Sequence, residues 1–379
     1  MNTSVMDKPK INLFDLQRQR LRMEAEIEAR IHAVLQHGQF VLGPEVEQVE
    51  KKLAEFAGAR QAIGVSSGRD ALAIGLMALG VKAGDAVFVP DFTFSATAGS
   101  VVAVGATPVF VDVDARTFNM DAADLERAIA ETKKAGKLKP RAIMPVDLYG
   151  LPADYHAING IANRHGLAVI ADSAQSFGGE IGGLRVGAQT AMTATSFYPT
   201  KPLGCYGDGG AILTEDDELA EAVRRIRSHG RAGTGDEALV LGVTGRLDTI
   251  QAAVLLVKLQ GFDRELERRR EIAARYTAAW SKLVVTPLIP EGYESAYALY
   301  TIQVPDRDAV KDRLEKLGIG TGLFYRLALH QHPAFRELEM RPMPVSTRLA
   351  DEVLSLPIHA DLNDDEVERI IEGVIEAVK

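Results

Sequence analysis

Lys201 stands in the stretch SFYPTKPLGCYGDGGAI, Ser196 to Ile212, between two prolines and ahead of a glycine run whose only other charge is Asp208. A lysine kept for solubility has polar or charged neighbours. One set among proline, leucine and glycine is either a packing residue or a chemical one. In a dry pocket its amine is driven toward the neutral form and becomes a nucleophile for carbonyl carbons.

Three other stretches carry matching chemistry. In VIADSAQSFGG, Val169 to Gly179, Asp172 closes an apolar run. A carboxylate there is costly unless it meets a cation, and a protonated ring nitrogen would serve. Gln175 follows within reach of the same ligand. In VSSGRDAL, Val65 to Leu72, a strand gives way to a Ser-Ser-Gly turn and a helix. The free N–H groups of Gly68 and Arg69 would face an anion at that helix start. In PDFTFSAT, Pro90 to Thr97, Phe92 and Phe94 follow a strand and could cover a planar ring. Taken singly, Ser-Gly is ordinary capping and a phenylalanine is ordinary core. An anion cradle, an aromatic cover, a carboxylate and a lysine, in this order at strand ends, together describe a pyridoxal phosphate (PLP) site. There Asp172 would keep the pyridine nitrogen protonated, and Lys201 would hold the cofactor as a Schiff base and later move protons.

The elements that must position these residues are legible in the apolar pattern. Short apolar runs at Ala62–Val65, Ala86–Val89, Pro108–Val111, Ala142–Val146 and Leu167–Ile170 alternate with helical segments at Asp70–Leu79, Phe94–Val104, Asp121–Thr132 and Asp154–His165. Two more strands are expected near Ala194–Phe197 and Gly210–Leu213. Such alternation predicts an α/β fold with a mostly parallel central sheet and helices on both faces. Ligands in such sheets sit beyond the carboxyl ends of the strands. One amphipathic helix is expected over residues 15–37 and a second over Val46–Phe56, while basic Lys133–Pro140 reads as a surface excursion. After the helix Thr249–Leu259 the register changes. A long charged helix at Leu266–Leu283 and later segments suggest a smaller C-terminal α+β domain, dividing the chain into residues 1–260 and 261–379.

Composition bounds the function. The 379 residues are 46% hydrophobic and 25% charged, ordinary for a globular protein, and the net charge of -9 argues against nucleic acid as a partner. No signal-like or membrane-spanning apolar run is seen, so a membrane is not expected as a partner. Cys205 is the only cysteine, excludes an intrachain disulfide, fits a reducing cytoplasm and reads as a small packed residue. His330 and His332 lack a ligand cluster to match, so no metal is expected. The sequences GxxxxGK[ST], HExxH and paired CxxC, and a GxGxxG after a strand, are all missing.

Through nearly its whole length the chain resembles the DegT/DnrJ/StrS family of PLP-dependent sugar aminotransferases, on the aspartate-aminotransferase (type I PLP) fold. The resemblance rests on FVLGPEVEQVEKKLAEFAGA (Phe40–Ala59), ADSAQSFGG, SFYPTKPLGCYGDGGAI, GRLDTIQAA (Gly245–Ala253) and LSLPIH (Leu354–His359). It implies Lys201 as the Schiff-base lysine, Asp172 as the pyridinium partner, Gln175 on the phenolic oxygen and Phe94 stacked on the ring. Gly68, Arg69 and Ser196 would hold the phosphate. Family members are dimers with shared sites, so the segment Thr244–Arg246 would enter the partner's site. Thr244 would then serve the cofactor and Arg246 a carboxylate of substrate or donor. Tyr325 and His330 match substrate positions.

The implied reaction takes the amino group of L-glutamate, through the PLP and PMP forms of the cofactor, to a nucleotide-linked keto-sugar. GRLDTIQAA resembles the version found in members acting at C3, which points to a 3-keto-6-deoxyhexose or a 3-keto uronic acid. A 4-keto nucleotide sugar or an aminocyclitol ketone are the alternatives. Related sugar dehydratases carry histidine in place of the lysine, so Lys201 argues against that chemistry. A cofactor-binding regulator without turnover is the remaining reading. Three positions depart from the family pattern. Arg69 replaces a threonine, Thr244-Gly245 replace Asn-Ser, and Phe324-Tyr325-Arg326 replace His-Tyr-Pro.

Overall fold

The short apolar runs become the strands of one seven-stranded sheet in the computed structural model, which describes residues 9–231 and 236–379. They are β1 (Gln61–Val65), β2 (Asp85–Pro90), β3 (Thr107–Val111), β4 (Lys139–Ile143) and β5 (Ala168–Asp172), then, after two short strands, β8 (Met192–Ser196) and β9 (Gly210–Thr214). The two short strands are β6 (Glu180–Ile181) and β7 (Leu184–Arg185), which form a separate small sheet with β10 (Tyr293–Glu294). The order across the large sheet is β1-β9-β8-β5-β4-β2-β3. β2, β3, β4, β5 and β8 pair in parallel. β9 is antiparallel to both of its neighbours, β8 and β1, so it alone runs against the rest. The cause is the loop carrying Lys201. It joins β8 to β9 without a crossover helix, and a strand that returns without crossing the sheet pairs antiparallel.

Helices cover both faces, as the alternation along β5 shows. Ile170 packs with Leu72 and Ile74 of the helix Gly68–Ala78. Its neighbours Val169 and Ala171 point the other way, to Ile158 and Ile161 of the helix Tyr155–His165. Successive strand side chains face opposite sides, so both layers are needed to bury them.

The C-terminal part builds its own core. β11 (Tyr300–Gln303) and β12 (Val353–Leu356) form an antiparallel pair. Trp280, Tyr276 and Tyr300 pack on one another there, with ring centroids 4.4 to 5.7 Å apart. Ile11, from the other end of the chain, joins this core, and its N–H donates to Gly318 O at 2.9 Å.

Some expected elements shift. The single helix over 15–37 is two, Leu16–Arg22 and Glu24–His37, broken at Met23 where φ is -113°. The stretch Lys133–Pro140 is not a surface excursion alone. The helix Ala122–Ala135 runs on through Lys133 and Lys134 to a left-handed Gly136, and β4 begins at Lys139. Two lysines in a last turn suit the negative end of a helix, so their charge continues the helix rather than ending it. The long charged helix lies at Phe262–Trp280. Among the described residues, no helix is long and apolar enough to cross a membrane, and no group of three or more His, Cys, Asp or Glu could hold a metal ion.

Candidate active site

Four of the sheet's chain segments turn at the same edge. Val65, Pro90, Asp172 and Ser196 end β1, β2, β5 and β8. The residues just beyond them line one cavity of about 340 Å³.

Gly68 opens a helix whose cap is Ser67, the side chain of which accepts from the Asp70 N–H at 3.1 Å. The N–H groups of Gly68 and Arg69 precede the first helical acceptor and stay available. Glycine is required by space: a Cβ at position 68 would lie 2.6 Å from Ser196 Cβ. The Arg69 side chain is exposed and has no ion pair or hydrogen bond among the described residues. Ser196, at the end of β8, accepts from the Tyr198 N–H at 3.3 Å and borders the same space.

Asp172 is buried, and among the described residues its carboxylate accepts two hydrogen bonds, from Thr97 Oγ1 at 2.8 Å and from the Ala174 N–H at 3.3 Å. Burial pushes this carboxyl above its ordinary range, against the pull of Thr97, Ala174 and the Lys201 field. Burial pushes the Lys201 amine down, with Asp172 opposing. The Lys201 amine makes no ion pair or hydrogen bond among the described residues, and its backbone N–H donates to Tyr198 O at 2.6 Å. The cavity therefore holds an unengaged amine of lowered basicity beside a carboxyl that wants a cation.

Gln175 has a defined amide orientation. Its Oε1 accepts from the Tyr149 N–H at 2.7 Å, which turns Nε2 toward the Tyr325 hydroxyl at 3.2 Å. The loop after β5 is anchored from below by Asp147. That buried carboxylate accepts from Ser173 Oγ at 2.7 Å, Tyr155 OH at 2.7 Å and the Ala153 N–H at 2.8 Å. Phe94 precedes the helix Ser95–Ala103, is 56% exposed and lines the cavity, with its ring 6.0 Å from that of Tyr325. Phe92 is fully buried, so it is core.

A family model for the DegT/DnrJ/EryC1/StrS aminotransferase family matches residues 21–375. The chain belongs to this aminotransferase family. It is 45% identical over 354 residues to the UDP-2-acetamido-2-deoxy-3-oxo-D-glucuronate aminotransferase of Pseudomonas aeruginosa, covering 93% of this chain and 96% of that protein. It superposes on the crystal structure of a DegT DnrJ EryC1 StrS aminotransferase from Brucella abortus with a TM-score of 0.95 and 46% identity, over 97% of this chain and 99% of that one. NtdA from Bacillus subtilis, solved with bound cofactor PMP, matches with a TM-score of 0.88 and 29% identity, over 98% of this chain and 86% of that one.

The family is PLP-dependent, and the residues present fit that cofactor. A helix start that only glycine can occupy offers N–H groups to a phosphate. The Asp172 carboxyl offers its charge to a ring nitrogen, and the unengaged Lys201 amine is free for attachment.

Not every expected residue of this aminotransferase meets in the cavity. Thr244 is exposed, within 3.3 Å of His229 Nε2 through its hydroxyl, and does not line the cavity. Arg246 bridges Val65 through its backbone and lies outside the lining too. Gly245 beside them is close-packed: a Cβ there would come within 2.7 Å of Ile74 Cδ1, so the serine usual in the family would require the end of the Ile74 side chain to move. Cys205 is fully buried, donates to Phe197 O at 3.0 Å and has its thiol pushed up to about 11 by burial, as suits a packing residue.

His330 also lies outside the lining. Its Nδ1 is 2.6 Å from Asp91 Oδ2, and its N–H donates to Asp91 Oδ1 at 2.9 Å. The hydrogen bond to Asp91 raises the imidazole pKa. A raised folded pKa contributes stability that is complete below the unfolded value near 6.5 and is lost as pH rises through the folded one. Asp91→Asn is therefore expected to lower the unfolding midpoint more at pH 6 than at pH 9. Equal losses at the two pH values would show that no charged pair is present.

Some residues in or behind the cavity are not among the expected site residues. Thr97 lies within the PDFTFSAT stretch, three residues after Phe94, so helical spacing was the available signal. Phe324 is the neighbour of Tyr325 in the segment that departs from the family pattern, whereas Phe14 and Tyr149 had no signal. Phe14 and Phe324 reach the cavity from distant parts of the chain, and Tyr149 acts from behind Gln175.

Proposed function

We propose that this protein transfers the amino group of L-glutamate to C3 of a keto-hexose carried on a nucleotide, in the cytoplasm, as a homodimer with shared sites. The observation that carries the chemistry is the unengaged Lys201 amine sharing a cavity with buried Asp172 and the glycine-started helix. PLP, when bound, supplies the electron sink that lets a proton leave a carbon bearing the transferred nitrogen. The chain's residues do the rest. Asp172, oriented by Thr97 and Ala174, holds a cationic ring nitrogen. The Gly68 and Arg69 N–H groups, the Arg69 guanidinium and Ser196 hold the phosphate, and the fork of arginine adds donors that a threonine lacks. Gln175 Nε2 donates toward the phenolic oxygen, and Phe94 covers the ring. Lys201 is the point of attachment and, once released, takes a proton from one carbon and returns it to another. In this reading residues 1–260 carry the cofactor and residues 261–379 add Tyr325.

Two features support C3. GRLDTIQAA resembles the segment of members acting there, and the Pseudomonas relative is named for a 3-oxo sugar. Offering matched 3-keto and 4-keto nucleotide sugars with glutamate is expected to yield an amine at C3, located by NMR. Amination at C4 alone would overturn the position and leave the cofactor chemistry standing.

The dimer reading rests on the surface around Thr244–Arg246. Leu239, Val240 and Leu241 are 52%, 47% and 89% exposed, and Phe40–Leu42 is exposed too, with Val41 bridging Asp248. A second copy would cover this apolar surface and receive Thr244 and Arg246, with His330 also assigned to the substrate. Mixing Lys201→Ala with Arg246→Ala protein is expected to restore up to roughly a quarter of wild-type activity, because one site of each hybrid dimer is then intact. No recovery where subunits demonstrably exchange would count against sharing.

A further inference from the structure

Tyr149 spends every polar group it has on elements that line the cavity. Its N–H donates to Gln175 Oε1 at 2.7 Å. Its carbonyl accepts from the Leu299 N–H at 3.3 Å. Its hydroxyl donates to the carbonyl of Phe324, the residue before Tyr325. Gln175 and Tyr325 then meet at 3.2 Å, which closes a ring of contacts Tyr149–Gln175–Tyr325–Phe324. The three segments it joins lie far apart in sequence, so no local turn could hold them together.

The conformation of Tyr149 serves this arrangement. It is buried, with φ at 59° and ψ at 3°, a left-handed backbone that tyrosine rarely adopts. An ordinary extended backbone would turn the N–H away from Gln175. The ring packs edge-on against Phe118, with centroids 5.1 Å apart. The next residue, Gly150, has φ at 108°, and a Cβ there would come 2.6 Å from Tyr297 N. The chain at 149–150 is thus pressed against the segment 296–299, and the hydroxyl is carried to Phe324. Strained residues of this kind persist where surrounding contacts over-determine them.

We propose that Tyr149 is a positioning residue that sets the orientation of the Gln175 amide and the place of the Tyr325 hydroxyl together. Its N–H fixes Oε1 of Gln175, so Nε2 is the atom presented to the cavity. Its hydroxyl fixes the chain at Phe324, so Tyr325 OH stays within reach of that Nε2. One buried side chain thereby couples the loop after β5 to the segment 323–326. This rests on the PLP aminotransferase reading above.

The test is a double-mutant cycle on the loaded enzyme with Tyr149→Phe and Tyr325→Phe. Tyr149→Phe keeps the ring against Phe118 and both backbone bonds, and removes only the hydroxyl. Three quantities are read: the pH midpoint of the bound cofactor's absorbance change, and KM and kcat for the keto-sugar. Tyr149→Phe alone is expected to shift the absorbance midpoint by at least ~0.3 pH and raise KM about 5- to 10-fold, with kcat changed less than about 3-fold. In the Tyr325→Phe background the same change is expected to add less than about 2-fold, because the hydroxyl it positions is already gone. Additive effects, or a Tyr149→Phe enzyme with wild-type midpoint and KM, would overturn the proposal. So would a loss of thermal stability with neither spectral nor KM change. Tyr149→Leu in parallel separates ring packing from the hydroxyl: a fall in stability larger than that of Tyr149→Phe is expected, and equal effects of the two on KM place the role on the hydroxyl. A wild-type protein that binds PLP yet aminates no keto-sugar would defeat the functional reading, while the absorbance midpoints would still decide on Tyr149.

Discussion

Lys201→Ala is expected to lower turnover by ~10³-fold or more, because it removes both the point of cofactor attachment and the group that moves the proton. The surroundings explain why this amine is suited to both tasks. It stands in a loop between β8 and β9, it has no ion-pair partner among the described residues, and burial pushes its pKa down. A neutral amine attacks a carbonyl; an ammonium does not. In the wild type, borohydride reduction followed by peptide mass spectrometry is expected to place a pyridoxyl group on the peptide containing Lys201. The alanine variant is expected to bind the PMP form and to take up no label. Label on another lysine would remove Lys201 from this role. Retention of more than about a tenth of wild-type turnover would do the same.

Asp172→Asn is expected to cost ~10²-fold or more in turnover, the range for preorganised electrostatic groups in dry sites. Asparagine has nearly the same shape but a single acceptor oxygen, so it keeps one of the two bonds that Thr97 and Ala174 make to different oxygens of Asp172. What it lacks is the charge that keeps a ring nitrogen protonated. The buried carboxyl also links cofactor binding to stability. Its pKa is raised without a cationic partner, so the native state then binds its proton more tightly than the unfolded chain. Stability of the cofactor-free protein therefore falls as pH rises above the ordinary carboxyl range near 3.9 and levels off above the raised folded value. A bound cation relieves that penalty, so the gain in unfolding temperature on adding PLP is expected to be smaller at neutral pH in Asp172→Asn than in wild type. Near-normal turnover and an undiminished gain would remove the ion pair.

Lys201, Asp172, Gly68 and Phe94 were legible without a structure because each sits where the chain leaves a strand or starts a helix. Those places are written in short-range signals: an apolar run that stops, a Ser-Gly turn, a glycine-rich return. The α/β class and the helices on both faces follow from the same local periodicity, and the aminotransferase family from motifs spread along the chain. The reversed strand β9 was not legible, although its cause, a connection without a helix, lies in the same lysine loop. Neither was the short pair β6 and β7, whose two-residue strands are below the length at which alternation can be read. Which residues converge is a different kind of fact. Phe14, Thr97 and Tyr325 come to Asp172 and Lys201, and Tyr149 to Gln175 behind them, through the strand order β1-β9-β8-β5-β4-β2-β3 and the packing of the C-terminal layer on it. Thr244, Arg246 and His330 are kept out of the same cavity by that arrangement. A sequence carries the chemistry of each side chain and the period of its own segment. The distance between two side chains more than a hundred residues apart depends on how whole layers pack, and that was decided only in the tertiary structure.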